Sequence, residues 1–165
     1  MKKIKISLIT LFFAISITSF AQSKVAHVNS EIVELMPASI AAVQELKKLE
    51  ETYQKEIDGM RQDLINKEQQ YASEQDTVSL ELNQTRMAEL QDQLQRVQAY
   101  INGVQQELQK KRIELMQPIS EDFLKAVEAV AERLGFDYVF ENNRQVLLVA
   151  KGTDISEEVK KELGL

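Results

Sequence analysis

The hydrophobic positions of this chain form one long pattern, over residues 43–115, flanked by two short ones. In its first limb Val43, Leu46, Ile57, Met60, Leu64, Tyr71 and Val78 share a track, with Tyr53 on it. In its second limb the track runs Met87, Leu90, Leu94, Val97, Ile101, Val104, Leu108 and Leu115, in steps of three and four with one gap at Lys111. Such steps line one helix face from end to end, and that face needs a partner along its whole length. The register changes around residues 76–83. The pattern predicts two long helices that join near residue 80 and fold back on each other as an antiparallel arm.

With Ile57, Leu64, Tyr71 and Val78 as position a of a heptad, position d holds Leu46, Tyr53, Met60, Lys67 and Glu74, and Glu50 falls at another a. Three charges in a seam predict looser pairing toward the tip. The expected seam is Ile57, Met60 and Leu64 on the outgoing limb, and Leu90, Leu94, Val97, Ile101 and Val104 on the returning one. Each limb, roughly 35 residues, spans about 50–55 Å at the helical rise. Gly59 and Gly103 interrupt good helix formers, and a fold near residue 80 sets them at almost the same height. A glycine inside a helix costs about 1 kcal/mol relative to alanine and loosens the backbone. Two readings stand for the pair: a flexing point in the arm, or two solvent-face glycines that the helices tolerate.

The flanking patterns are short. Residues 24–29 read as a strand, Asn29-Ser30 as a cap for a short helix over 31–36, and Pro37 as the first turn of the long helix. Pro118 marks the base of the returning limb, where a kink is expected. Beyond it Phe123, Val127, Val130 and Leu134 keep helical spacing until Gly135, a natural stop. Strands follow at 136–140 and 146–150, around a turn at 141–144. Lys151-Gly152 then leads into a last helix, capped by Asp154 with Glu157 reciprocating, and Ile155 and Val159 face inward.

The fold class is therefore α+β and mostly helical. A coiled-coil hairpin arm of residues 38–117, with its tip near 76–83, is inserted into a small β-containing body of residues 22–37 and 118–165. A body of about 60 residues buries little core by itself, and its strands leave apolar edges. Association through the body into a closed cyclic oligomer is the expected remedy.

Residues 1–21 stand apart. Lys2, Lys3 and Lys5 precede an apolar run from Ile6 to Ile17, and Ser19-Phe20-Ala21 closes it with small residues at the two cleavage positions. This is the plan of a secretory signal peptide cut after Ala21. A membrane anchor is the other reading, but the run is broken by Ser and Thr and falls short of the roughly 20 residues a span needs. No Cys follows it, so the usual lipid-attachment residue is missing. Taking Lys2, Lys3 and Lys5 from the 20 basic residues leaves 17 against 26 acidic ones, a net charge of −9 after cleavage. Tight nucleic-acid binding does not fit that charge.

Little in the chain points to chemistry. His27 is the only histidine and there is no cysteine, so a transition metal lacks a second soft ligand. A surface or subunit-contact role suits His27 better. Ser30 and Ser39 have no base nearby in sequence, and no glycine-rich phosphate loop is present. No catalytic, cofactor-binding or metal residue is expected. The predicted shape offers another activity. Arms standing on an oligomeric base enclose space without closing it, and their faces can hold an unfolded chain by many weak contacts, without ATP. Met60, Met87 and Met116 suit such adaptable contact, although Met60 and Met87 also read as arm filling.

Several segments are similar to one known family. Lys24-Val25-Ala26-His27-Val28-Asn29 with Pro37 after a short helix resembles the start of the Skp family, also called OmpH. Pro118-Ile119 leading through Ala126, Val127, Val130 and Ala131 to Gly135-Phe136-Asp137-Tyr138-Val139 resembles its second half, and Thr153-Asp154-Ile155-Ser156-Glu157-Glu158-Val159 its ending. Val78-Ser79 with Arg86 and Glu89-Leu90 is similar, less specifically, to its arm tip. The resemblance spans nearly all of residues 22–165. It implies a jellyfish-shaped homotrimeric chaperone of the periplasm, which holds unfolded outer-membrane proteins before membrane insertion and needs no cofactor. Carried over by position, Val25, Ala26, Val28, Tyr138, Val139, Phe140, Val146 and Leu148 build the body sheets and trimer contacts. Membrane contact is at most peripheral.

One departure stands out. Familiar members of the family are basic, with positive arm tips that suit anionic lipid or acidic clients, whereas residues 38–117 here hold 10 basic and 14 acidic side chains, a net charge of −4. Glu74, Asp76 and Glu81 crowd the tip, with Lys67 and Arg86 at some remove. Lipopolysaccharide binding is not carried over, and client holding is expected to depend weakly on salt. The rival reading is an envelope coiled-coil structural or adaptor protein with one specific partner.

Overall fold

The computed structural model describes residues 23–142 and 149–165. Among them the order is β1 (Val25–Val28), α1 (Ile32–Leu35), α2 (Pro37–Glu74), α3 (Leu80–Leu134), β2 (Tyr138–Glu141), β3 (Thr153–Asp154) and α4 (Ser156–Glu162). The fold is mostly helical with one small parallel sheet. The segment read as a signal peptide lies outside the described residues.

The sheet order is β2-β1-β3, and β1 is parallel to both neighbours. Parallel neighbours cannot be joined by a tight turn and need a long crossover. The crossover from β1 to β2 is the entire excursion out along α2 and back along α3. The sheet therefore ties the two ends of that excursion together: Val25 is in register with Tyr138 and Val28 with Glu141. Below this ladder, the Lys24 N–H donates to Asp137 Oδ2 at 2.8 Å and the Asp137 N–H returns to the Lys24 carbonyl at 2.9 Å.

Ala26 and Val28 of β1 enter one core with Ile32, Met36, and the α3 stripe Ile119, Phe123, Ala126 and Val130. That stripe advances by four, three and four residues, the spacing of one helix face. Val130, Ile155 and Val159 are fully buried at its centre. α3 thus has two tasks. Its first part lies beside α2, and its last part forms the floor under the sheet. The helix continues past Pro118, which is exposed, as the helical spacing beyond it predicts. It stops at Gly135, whose φ of 70° is a left-handed conformation that disfavours a side chain. The Phe136 N–H reaches the Ala131 carbonyl at 2.9 Å and the Gly135 N–H the Glu132 carbonyl at 3.2 Å, which is the double bond pattern of a Schellman stop.

The C-terminal part differs from the expectation. Residues 143–148, and with them Val146 and Leu148, lie outside the described residues, while Val149 and Ala150 carry no strand. The strand beside β1 in this part is Thr153–Asp154, in register with Ala26 and His27. Two residues are too short to show an alternating pattern, so this strand had no sequence signature. Asp154 is not the cap of the last helix: Ile155 holds that position without a side-chain bond, and Asp154, one residue before it, accepts from the Ser156 N–H at 2.9 Å in an Asx turn. Glu157 does not reciprocate; it pairs with Lys160 at 2.7 Å. Ile155 and Val159 face inward.

Candidate functional site: the helical arm

α2 and α3 lie side by side and antiparallel, and their cross-links set the register. Glu45 pairs with Lys111 at 2.8 Å, Tyr100 donates to Glu56, and Lys67 pairs with Glu89 at 2.7 Å. The α2 members step by eleven residues toward the tip, and their α3 partners step back by eleven. Eleven residues are three turns at 3.67 per turn, the spacing of straight or slightly right-handed pairing. Converging from both sides, the series closes on the tip, where the chain leaves helix at Glu74 and re-enters it at Leu80. There Ser79 Oγ accepts from the Leu82 N–H at 3.2 Å, and Asn83 Nδ2 donates to the Gln75 carbonyl at 2.9 Å. The tip is shorter than the expected 76–83.

This repeat explains which expected seam residues are covered. Ile57, Val97 and Val104 are buried, and Met60, Leu64, Leu90 and Ile101 are half-buried. Leu94 is 57% exposed and lies outside the seam, as does Met87 at 66% and Leu80 at 75%. Residues seven apart rotate by about 20° per heptad on a straight helix. The row Ile101, Leu94, Met87 and Leu80 therefore winds out of the interface as it climbs, and Gln93 and Arg86 take the half-buried places. Glu50 is likewise exposed, with Leu49 half-buried in its stead.

The remaining charged seam positions are matched across the arm. Arg86 forms an ion pair with Glu74, so the tip cation stands beside the tip acid rather than at some remove. Arg86 also lies over the Tyr71 ring, 4.6 Å from its centre, a cation–π placement. Glu89 accepts from both Lys67 and the Tyr71 hydroxyl, at 2.7 Å each. Those bonds, Lys67 first, hold the Glu89 carboxyl below the usual range. Gln70, then Arg86, do the same for Glu74. The three arm tyrosines each face a carboxylate. Glu107 raises Tyr53, Glu89 raises Tyr71, and Glu56 pushes Tyr100 up to about 12.

Gly59 and Gly103 are not level. Relative to the Glu56–Tyr100 pair, Gly59 lies three residues toward the tip and Gly103 three toward the base. That separates them by about 9 Å at the helical rise. A Cβ on either would meet nothing within 4 Å.

The arm leaves a surface that its own pairing does not cover. Beside exposed Leu80, Met87 and Leu94, half-buried Leu64 and Leu90 line an open groove of about 800 Å³ near the tip. In the body, Ala26 and Val28 are buried within one chain and Val139 is half-buried, whereas Val25, Tyr138 and Phe140 are exposed. Register puts these last three on one side of the sheet. Among the described residues no cluster of His, Asp or Glu could hold a metal. His27 instead sits buried in β1, its Nδ1 3.9 Å from Asp154 on the neighbouring strand.

Residues 24–163 match the family model described as Outer membrane protein (OmpH-like). The chain belongs to the OmpH/Skp family of periplasmic chaperones. OmpH-like proteins act in outer-membrane protein assembly and are not enzymes, and periplasmic location follows from membership. A candidate outer membrane chaperone (OmpH-like) from Caulobacter crescentus CB15, known from a crystal structure, has the same fold: TM-score 0.73, with 87% of this chain and 85% of that one covered at 18% identity. No curated protein sequence matches the chain. Among the described residues of this OmpH-like chain, no helix is long and apolar enough to cross a membrane.

Proposed function

We propose that this OmpH-like chain is an ATP-independent holdase for unfolded outer-membrane proteins, working as a trimer of arms on a shared body. Residues 22–37 and 118–165 form the body and residues 38–117 the arm. The observation that carries the reading is the exposed Leu80–Met87–Leu94 row along the distal α3. Large apolar side chains standing open on a helix otherwise rich in polar residues mark a contact surface. A row of separate side chains beside an open groove suits many segments weakly rather than one segment tightly, which is what a holding activity requires. In the body, exposed Val25, Tyr138 and Phe140 support self-association through the sheet. The arm brings its own partners for most seam charges, so capture rests on apolar and polar contact more than on net charge.

The test is suppression of aggregation when an unfolded outer-membrane β-barrel is diluted from urea. The wild-type chain should suppress it at 50 mM and 500 mM salt alike. Leu80→Ser/Met87→Ser/Leu94→Ser should lose most of that activity with its helix content intact. The native mass should be that of a trimer. A monomer that leaves aggregation unchanged would overturn the reading.

A further inference from the structure

The outer flank of α3 carries a second regularity. From Leu80 to Gln109 the helix holds six charged residues: Glu81, Arg86, Glu89, Asp92, Arg96 and Glu107. None is on the line that passes through Leu80, Gln84, Met87, Gln91, Leu94 and Gln98 and continues over Asn102, Gln105 and Gln109. Each step on this line is three or four residues, so its members are neighbours on one face. All of them are exposed. In its distal half the line alternates apolar and primary amide side chains; in its proximal half it is amide throughout. A second open groove, of about 890 Å³, lies along the proximal half beside Asn102, Gln105 and Gln109. Both grooves thus run along this charge-free line, although Glu68 also lines the distal one and Lys110 and Glu114 the proximal one.

A solvated helix face has no need to exclude charge, and 28% of the whole chain is charged. Amides differ from charges in one decisive way. Each carries two donors and an acceptor with two lone pairs, so it can serve an unpaired backbone N–H or C=O alike. Drying an amide that finds such a partner costs little, whereas drying an unpaired charge is expensive. The line is also long, about 44 Å at the helical rise, which accommodates about 13 extended residues at about 3.3 Å each. A strand that spans the outer membrane needs only about 9–11 residues, alternates apolar and polar side chains, and before insertion has its backbone groups unpaired.

Resting on the holdase reading, we infer that this α3 flank is the track on which the client lies, and that its ligand is an uncharged, extended, strand-length segment. Leu80, Met87 and Leu94 take the apolar side chains. The amide row takes free backbone groups and polar side chains. A segment bearing charges finds no counter-charge on the line itself, only Glu68 beside the distal groove and Lys110 and Glu114 beside the proximal one.

The test uses the full chain and an unfolded eight-stranded outer-membrane barrel diluted from urea. A photo-cross-linking residue is placed in turn at Gln98 and Gln105 on the track, and at Asp92 and Arg96 off it. A second arm compares Gln91→Glu/Gln98→Glu/Gln105→Glu with Thr85→Glu/Ala99→Glu/Gly103→Glu, which adds the same charge at exposed positions that line neither groove. Client cross-links should form at Gln98 and Gln105 at least fivefold more than at Asp92 and Arg96. The track variant should bind the client at least tenfold more weakly than the off-track variant. Equal cross-linking at the four positions, or affinities within twofold, would overturn the track while leaving the holdase reading standing. Arm-to-arm cross-links at Gln98 without client would also overturn it, since the flank would then be an interface between copies. Failure of the wild-type chain to bind the barrel at all would sink both.

Discussion

The Tyr100 hydroxyl donates to the Glu56 carboxylate from the opposite helix of the arm. A bond to a charged acceptor favours the protonated phenol, and the neighbouring Glu56 charge adds to the effect. Tyr100 is thereby pushed up to about 12. The sign follows from linkage. A group whose folded pKa is raised contributes stability that is complete below the unfolded value, about 10 for tyrosine, and is lost as pH rises through the folded one. Tyrosinate absorbance should therefore show a late component near pH 12. Tyr100→Phe should remove that component. If the tyrosine titration in the wild-type chain were finished by pH 11, the bond would not exist in solution.

The acid side has the opposite sign. Glu89, held low first by Lys67 and then by Tyr71, and Glu74, held low by Gln70 and Arg86, have folded pKa values below their ordinary value. Their contribution is complete above the unfolded pKa and disappears as pH falls through the lowered values, so the window lies below about pH 4.5. The thermal midpoint of arm helicity, followed by circular dichroism, should drop as pH goes from 5 to 3. Glu89→Gln should start from a lower midpoint and lose less over the same interval. Identical slopes for the two proteins would remove Glu89 as a source. Because these groups are solvent-facing, 500 mM salt should shrink the difference.

Gly59 and Gly103 give a steric prediction. Both sit in regular helix, and an added methyl group on either touches nothing within 4 Å. Alanine there reduces the freedom of the unfolded chain without a clash. Gly59→Ala and Gly103→Ala should each raise stability by about 0.4–1 kcal/mol, read by chemical denaturation. A loss of stability would show that the face is covered in the assembled protein. The spread of distances between spin labels near the tip and in the body should narrow in the double variant if the arm flexes at these two glycines, about 9 Å apart along it, and stay unchanged if they are merely tolerated.

The long elements were legible because a helix face repeats often enough to be read through noise. The arm, its antiparallel return and the Gly135 stop all follow from spacing. The fine assignment of the seam was not legible from a heptad alone. A strict seven-residue frame put Leu94 in the interface and Glu50 beside it. The eleven-residue rungs, visible only once Glu45, Glu56 and Lys67 are set against Lys111, Tyr100 and Glu89, turn Leu94 outward and bring Leu49 in. Charged positions in the frame read as weakness until their partners on the other helix were known. The strand at Thr153–Asp154 left no signal because two residues cannot alternate, and its place is fixed by the backbone of β1 and the burial of Ile155.

Ile155 carries the last prediction. It is fully buried; its N–H donates to the His27 carbonyl at 3.0 Å and its carbonyl accepts from the Val159 N–H at 3.0 Å. One residue thus joins β1, β3 and α4, and α4, with seven residues, is too short to be helical without packing. Ile155→Ala removes three carbons from a small core that has no second layer to collapse inward. The cost should be about 2–5 kcal/mol, against about 0.5–1.5 kcal/mol for Ile155→Val. Leu35→Ala, at an exposed apolar position of similar size, should stay within about 0.5 kcal/mol. Urea unfolding followed by circular dichroism measures all three. Ile155→Ala should also release α4, so amides of residues 156–162 should exchange with deuterium faster while those of residues 90–108 keep their protection. Equal costs for Ile155→Ala and Leu35→Ala would mean that α4 does not pack on β1 as described.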